Sequence, residues 1–197
     1  MSAGLPDFVR RWYPWVDEVG DPAATVAPLL AFNHALGPEE VWEDDDVSVL
    51  VVEQQGVWLW GGRSGGGYVE RENVDGSPWR TVETDAEQFW LHHAAFEALW
   101  SSPAMRGSGS LDAVAVGRIL GVSRPLPCAP WHWPGDRHTL HTSGGALVMV
   151  CEDRGGFWVV AAGRSEADLA EVDALDLVWD ETDTRVTPLG GEVQDSR

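Results

Sequence analysis

Apolar and polar residues alternate most regularly in the second quarter of the chain, where two β-branched and aromatic runs flank a polar turn. The runs cover residues 47–52 and 57–63, and the turn between them is Glu53-Gln-Gln-Gly. This pattern predicts a β-hairpin. Trp58 and Trp60 share one face of its second strand because they are two residues apart, and we expect them to lie in the core.

A second hairpin is predicted by two similar runs, residues 146–152 and 157–162. Residues 49–56 and 148–155 align without a gap, each segment ending in glycine. The similarity indicates either a decayed internal repeat or two hairpins of the same length that share only their general pattern. We favour the second interpretation, because short strands and glycine turns recur in many sheets.

Helical periodicity is clearest in residues 84–100, where Thr84-Asp-Ala-Glu forms a capping box ahead of an apolar stripe containing Phe89 and Phe96. Residues 111–120, which Gly121 is expected to end, and residues 165–175, which Ser165 is expected to cap, predict two further helices. Two more are predicted ahead of the first hairpin, at residues 6–14 and 23–36.

Several glycine-rich and short segments have weaker patterns. Residues 61–76 are rich in glycine and predict a mobile loop. They do not predict a phosphate-binding loop, because the segment lacks a Gly-Lys-Ser/Thr motif and no helix follows it directly. Residues 107–110 predict a flexible joint. Residues 78–82 and 177–179 predict short strands, the second at a sheet edge. The last ten residues predict a loose tail.

Together these elements predict an α+β fold, a mainly antiparallel sheet of two hairpins plus short strands, flanked by about four helices. The length of 197 residues suffices for a substantial core. We expect a core domain at residues 1–105. Residues 106–197 are expected to be a C-terminal extension, consisting of a helix, a proline-rich segment and the second hairpin, packed on the same sheet.

The charge balance limits the class of partner. The chain has 13 basic and 32 acidic residues, a formal net charge of −19. Such a charge repels phosphate backbones, so we expect no nucleic-acid partner. It attracts a basic protein and speeds the encounter. An alternative is that the acidity mainly keeps a chain with 12 tryptophans soluble.

The location of the protein is predicted from segments that the sequence lacks. No apolar run approaches the roughly 20 residues of a membrane helix, and the first residues do not resemble a signal peptide. Cys128 and Cys151 are too few for a disulfide framework. We therefore expect a cytoplasmic protein with reduced thiols and no membrane partner.

One acidic run surrounds a tryptophan just ahead of the first hairpin. It has two interpretations, a solvated loop or an interface in which an aromatic anchor is combined with charge. The candidate partner interface consists of Glu39, Glu40, Trp42, Glu43, Asp44, Asp45 and Asp46.

Candidate metal and catalytic residues are present without a recognisable motif. Cys128, His132, His138 and His141 carry zinc-ligand atoms, but their spacing matches no usual closed zinc site. A small zinc-dependent protein stays an alternative, while we expect no metal or cofactor. His92 or His93 could supply a base, yet a histidine on an apolar stripe is more often a hydrogen-bonded packing residue. No nucleophile motif is present, so we expect no enzyme.

Several segments resemble one family when they are taken in order. They are Leu-Pro-Asp-Phe-Val-Arg-Arg-Trp-Tyr at residues 5–13, Ala-Phe-Asn-His at 31–34, Leu-Gly-Pro-Glu-Glu at 36–40, the hairpin at 49–61, Ser-Pro-Trp at 77–79 and the helix from Thr84 through Phe89. Residues 5–100 thus resemble the SUKH superfamily, the group of yeast cell-wall-assembly regulators and bacterial immunity proteins. Gln54, where asparagine is common, and a glycine-rich insertion near Gly65 depart from its pattern.

The resemblance implies an α+β fold with helices around a mainly antiparallel sheet, and a non-catalytic role. That role is the neutralisation of a protein toxin, or regulatory scaffolding. A basic toxin, such as a nuclease, would suit the charge of −19. No family residue carries over as a known contact, because immunity proteins vary at the toxin-facing surface. We expect no small-molecule ligand.

Overall fold

A computed structural model of the chain describes residues 33–37, 39–153 and 155–184. The predicted helix at 6–14, most of that at 23–36 and the predicted tail lie outside these residues. Within them, twelve strands form two six-stranded antiparallel sheets, accompanied by three α-helices. The predicted α+β class is confirmed. None of the helices in the described part has the length and apolar character needed to cross a membrane.

The first sheet contains the first predicted hairpin. Both β1 and β2 pair with β3, which is followed across the sheet by β4, β5 and β6. Its strands are β1 (Asn33–Ala35), β2 (Trp42–Asp44), β3 (Val47–Glu53), β4 (Trp58–Arg63), β5 (Tyr68–Glu72) and β6 (Arg80–Val82). The end of the predicted helix at 23–36 is wrong, because Asn33–Ala35 form the strand β1, which pairs with β3.

The second sheet contains the second hairpin, which pairs there and not with the strands of the first sheet. Its spatial order is β12-β7-β11-β10-β9-β8. The strands are β7 (Ala104–Leu111), β8 (Arg124–Pro125), β9 (Arg137–Ser143), β10 (Ala146–Asp153), β11 (Gly156–Gly163) and β12 (Glu181–Thr184). The boundary of the predicted domains, after residue 105, falls inside β7, and the division itself stays a prediction.

The helices are α1 (Ala86–Trp100), α2 (Ala113–Val122) and α3 (Ala170–Asp173), the last preceded by a 3₁₀ helix (Glu166–Leu169). Helix α1 lies between the two sheets. Phe89 packs with Trp60 of the first sheet, whereas Phe96 and Leu99 pack with Met149 of the second. The other face of the second sheet is covered by α2 and α3. One helix therefore joins both cores.

Both hairpin turns follow the sequence pattern. In the first, Glu53 is 2 % exposed, and its carboxylate accepts hydrogen bonds from the backbone N–H groups of Gln55 at 2.8 Å and Val57 at 3.2 Å. Gly56 has a φ of +73° and Gly155, its counterpart in the second turn, a φ of +83°, a conformation that favours glycine. Whether the hairpins are an internal repeat stays a prediction.

Two glycine-rich segments are strands, which corrects the predicted mobile loop at 61–76 and flexible joint at 107–110. The first contains β5, paired with β4 and β6, and the second lies in β7, paired with β11 and β12. The Ser108 hydroxyl also donates to Asp180 at 2.7 Å. Gly107 pairs on both sides and Ser108 with β11, while the backbone N–H of Gly109 donates to Asp180 at 3.0 Å. These bonds satisfy backbone groups and outweigh the low strand propensity of glycine and serine.

The predicted helix ends need corrections at the caps. Helix α1 is capped by Asp85, whose carboxylate accepts the N–H of Gln88 at 2.9 Å, and not by Thr84. Helix α2 continues through Gly121, because an interior glycine costs only about 1 kcal/mol relative to alanine. The Ser165 side chain makes no capping bond. Asp168, nearby, accepts the backbone N–H of Arg164 at 2.9 Å.

The predicted edge strand at 177–179 is also wrong. The edge strand of the second sheet is β12, which begins at Glu181 and pairs with β7. An acidic residue at the start of this strand does not prevent pairing, because strand formation is governed by the neighbouring chain as well as by propensity.

Candidate functional site

The seven predicted interface residues lie together at one edge of the first sheet, and we call them the acidic edge. They occupy a turn at residues 39–40, the strand β2 and the turn that leads into β3. Trp42 pairs with Val49 and Asp44 with Val47. Asp45 closes the turn with a φ of +57°, a left-handed conformation that aspartate tolerates better than most residues.

Trp42 is the aromatic residue of the acidic edge. Its side chain belongs to an edge strand that pairs on one side with β3, and the residue is 42 % exposed. Trp60, by contrast, is fully buried on β4. Trp42 therefore presents a large apolar surface to solvent, as aromatic anchors of protein interfaces do.

Two carboxylates of the acidic edge are held by nearby groups. Glu40 accepts the backbone N–H of Gly37 at 2.8 Å, and its Oε2 lies 3.5 Å from Nε2 of His34. The hydrogen bond from Gly37 lowers the pKa of Glu40 below its ordinary value. Glu43 accepts the hydroxyl of Ser48 at 2.7 Å. These bonds fix the direction of both side chains.

Asp44 and Asp46 are held by residues from later strands. Asp44 accepts the indole N–H of Trp79 at 3.0 Å and lies 2.9 Å from the guanidinium of Arg71, which stacks over the Trp79 ring. Arg63 donates to Asp46 at 2.6 Å. These three partners have no signal in the sequence, because only the folded sheet brings them to the acidic edge.

The remaining carboxylates, Glu39 and Asp45, are exposed, and neither side chain forms a hydrogen bond or ion pair within the described residues. The acidic edge thus combines six carboxylates with two arginine partners. Its excess negative charge and its exposed indole are compatible with a basic protein surface.

The structure does not bring the four predicted zinc ligands together. His132 contacts Glu70 through Nδ1, whereas Nε2 of His138 lies 2.7 Å from Nε2 of His92. His141 bonds instead to Thr139. Within the described residues, no group of three or more His, Cys, Asp or Glu side chains is arranged to hold a metal ion. Burial raises the pKa of Cys128 to about 11, so its thiol keeps its proton at neutral pH.

His132 and His138 belong to a group that we call the tryptophan–histidine cluster, which joins β4, β5, α1, β9 and the segment ahead of β9. Most of the group is buried, while the side chain of His132 is 42 % exposed. Its members are Trp58, Trp60, Glu70, His92, Trp131, His132 and His138. Glu70 is fully buried and accepts the indole N–H groups of Trp58 at 3.3 Å and Trp60 at 3.0 Å. Glu70 was not among the predicted functional residues; it lies directly opposite Trp60 in the β4–β5 register.

The protonation of the two buried histidines follows from their partners. Nδ1 of His92 lies 2.8 Å from the carbonyl oxygen of Ala129, which only accepts, so Nδ1 carries the proton. Nε2 of His92 is then the acceptor for the N–H of His138. Burial lowers the pKa of His92 to about 3 and that of His138 well below its ordinary value. His92 also stacks on Trp131, with ring centroids 4.2 Å apart, which is a packing role.

The chain was compared with models of protein families, with curated proteins and with solved structures, and none of the three comparisons gave a match.

Proposed function

We propose that this chain is a non-catalytic protein-binding module, a SUKH-like immunity protein that neutralises a basic toxin by contacts at the acidic edge. The observation that carries the proposal is the position of Trp42. It is 42 % exposed on an edge strand and is accompanied by two carboxylates, Glu39 and Asp45, that make no bond within the described residues. The resemblance of residues 5–100 to immunity proteins supports the same role.

The chemistry of the acidic edge suits a partner rich in arginine and lysine. A tryptophan that becomes buried at the centre of an interface when the partner binds provides much of the binding free energy. The surrounding charges orient the partner and speed the encounter. The formal charge of −19 extends the attraction beyond direct contact. A basic partner can pair with Glu39 and Asp45 without breaking any bond that the described residues make.

The internal bonds of the acidic edge favour binding in a second way. Arg63 and Arg71 already hold Asp46 and Asp44, and Trp79 fixes Asp44 further. Side chains that are ordered before binding lose less conformational entropy when the complex forms. The edge is therefore a preorganised surface.

The test is coexpression with the protein encoded by the neighbouring reading frame. We expect that protein to arrest growth alone, and this chain to restore growth and to form a stable complex in size-exclusion chromatography. A triple variant, Trp42→Ala, Glu39→Gln and Asp45→Asn, is expected to weaken the complex by roughly a hundredfold and to lose protection.

The control replaces two exposed carboxylates outside the acidic edge, Glu83→Gln and Asp176→Asn. Asp176 matches Asp45, since its φ of +50° is also left-handed. This variant should protect as the wild type does. Full protection by the triple variant would exclude the acidic edge, and failure to bind the neighbouring product would overturn the immunity role. A complex with a product that is not toxic would replace that role by regulatory scaffolding.

A further inference from the structure

A cleft of about 400 Å³ opens beneath α2, beside β9 and β10 of the second sheet. Its volume lies within the range of roughly 300–1,000 Å³ typical of small-molecule sites. Val116 and Leu120 of α2 line it together with Leu126 and with Val150 of β10. The cleft is distinct from the acidic edge, which belongs to the first sheet. Its mainly apolar walls favour a ligand with a largely apolar body.

Gly117 lies on the helical side of the cleft. It is in the interior of α2 and lines the cleft, and a Cβ at this position would meet no atom within 4 Å. Glycine is a poor helix former, so it does not serve the stability of α2. Because the space beside it is open, a larger side chain here could extend into the cleft without a clash at its Cβ.

Thr139 and His141 place one hydrogen-bonding group in this apolar space. Both line the cleft, and Oγ1 of Thr139 lies 3.0 Å from Nε2 of His141, which is 9 % exposed. Burial lowers the pKa of His141, which keeps the ring neutral. If Thr139 donates to Nε2, its oxygen can accept from a ligand. If the other tautomer is present, Thr139 accepts from Nε2–H, and its hydroxyl can donate to a ligand or to the carbonyl oxygen of Val150, which lies 3.5 Å away.

The charges around the cleft disfavour an anionic ligand. Glu152 is the charged residue among those that line it. Arg137 lies directly opposite Glu152 in the β9–β10 register, but the two side chains form no ion pair within the described residues. Glu152 therefore repels a ligand that carries negative charge. No basic side chain lines the cleft, within the described residues, to hold a carboxylate or phosphate.

We propose that this cleft binds a small, neutral, mainly apolar organic molecule with one hydrogen-bonding group, of the size and polarity of indole. The apolar body lies between α2 and the sheet beside Gly117, and its polar group bonds to the hydroxyl of Thr139. The proposal is independent of the acidic edge. It departs from the expectation, drawn from the sequence, of no small-molecule ligand.

Indole itself is the probe, titrated into the full chain and followed by ligand-observed NMR and isothermal calorimetry. We expect saturable 1:1 binding with a Kd of about 1 mM or tighter. Gly117→Leu fills the cleft and is expected to weaken binding about tenfold or more. Gly121→Leu is the matched control, because Gly121 lies in the same helix, does not line the cleft and also has no atom near its Cβ position. Both variants improve helix propensity, so both should fold.

Two further comparisons test the class of ligand. Thr139→Val should weaken indole about fivefold and leave 1-methylindole, which has no N–H, unchanged. Of 3-methylindole, tryptamine and indole-3-acetate, the neutral molecule should bind most tightly. The absence of saturable binding, or equal affinity of Gly117→Leu and wild type, would overturn the site. Tighter binding of either charged molecule would overturn the assignment of a neutral ligand.

Discussion

The acidic edge and the tryptophan–histidine cluster both contain tryptophan and carboxylate side chains, but these are mostly exposed at the edge and mostly buried in the cluster. Each combines tryptophan with carboxylate on the first sheet, and the cluster adds histidines from α1, from β9 and from the segment ahead of β9. At the acidic edge Trp42 is 42 % exposed and two carboxylates have no partner within the described residues. In the cluster Trp60 and Glu70 are fully buried, and Glu70 accepts from two indoles. Burial, and not residue type, distinguishes the cluster from the acidic edge.

The physical reason lies in the cost of an unsatisfied group. A buried donor or acceptor that loses its partner retains its full desolvation cost, whereas exposed groups return to water. Exposed ion pairs contribute about 0–1 kcal/mol. Substitutions in the cluster should therefore lower the free energy of unfolding, and substitutions at the acidic edge should mainly change binding.

The largest effect is expected from Glu70→Ala. The indole N–H groups of Trp58 and Trp60 then lose their acceptor in a buried site, and His132 loses its partner. We expect the free energy of unfolding, measured by urea denaturation, to fall by about 3 kcal/mol. Glu72→Ala, on the exposed end of the same strand, is the control and should leave it nearly unchanged. Equal effects of the two variants would remove the distinction between cluster and edge.

The second largest effect is expected from acid, which should lower the free energy of unfolding through the buried histidines of the cluster. The pKa of His92 is lowered from 6.5 to about 3 in the folded chain, so below pH 6.5 the unfolded chain takes up a proton that the folded chain does not. Stability present above pH 6.5 is thus lost as the pH falls toward 3, by about 2 kcal/mol at pH 5 for this group. His138 acts in the same direction.

Urea denaturation of the wild type at pH 8, 6 and 5 measures this loss. Carboxylates titrate over part of the same range, so the comparison is with His92→Gln, which has the same carboxylates and no titrating group at this position. We expect a smaller loss of stability between pH 8 and 5 in the variant. An identical loss in both proteins would show that His92 is not protected from protonation.

A smaller effect is expected where the acidic edge is joined to the rest of the sheet. Trp79→Phe removes the indole N–H that donates to Asp44 at 3.0 Å, at a partly buried site. The free energy of unfolding should fall by about 1 kcal/mol. A double-mutant cycle with Asp44→Ala, which removes the acceptor, isolates the interaction. A coupling energy of zero would mean that Asp44 is not held by this bond.

The smallest effect on stability is expected from the two unpartnered carboxylates. Glu39→Gln with Asp45→Asn removes charge from exposed side chains that make no bond within the described residues, and asparagine tolerates the left-handed backbone of residue 45. Calorimetry should give the same melting temperature as the wild type within error. A clear decrease would place these side chains in the folded framework, as in the cluster.

Local patterns in the sequence predicted the elements that local chemistry controls. The two hairpins follow from period-two alternation and glycine turns, and α1 from its 3.6-residue stripe. The acidic edge was predicted because its residues are contiguous. Trp60 was correctly placed in the core, since it alternates with residues of the opposite face.

Features that depend on distant residues were missed. The strands β5 and β7 contain or adjoin glycine-rich segments, and they form because a neighbour pairs with each edge. Nothing in the sequence distinguishes Glu70 from the other acidic residues, of which there are 32 in all with Glu70 included. Its role follows from the strand pairing that places Trp60 opposite it. The same holds for Arg71, which reaches Asp44 from a strand three positions across the sheet. Long-range pairing has no signature in a single sequence.

The association rate of the neighbouring-frame product, measured by stopped-flow fluorescence at increasing salt, tests the central claim most directly. The proteins to compare are the wild type, Glu39→Gln/Asp45→Asn and the matched control Glu83→Gln/Asp176→Asn, both doubles having the same net charge. We expect the edge variant to associate several-fold more slowly at low salt with a flatter salt dependence, and the control to stay close to wild type. Equal rates for the two doubles at every salt concentration would contradict the assignment of the acidic edge as the partner surface.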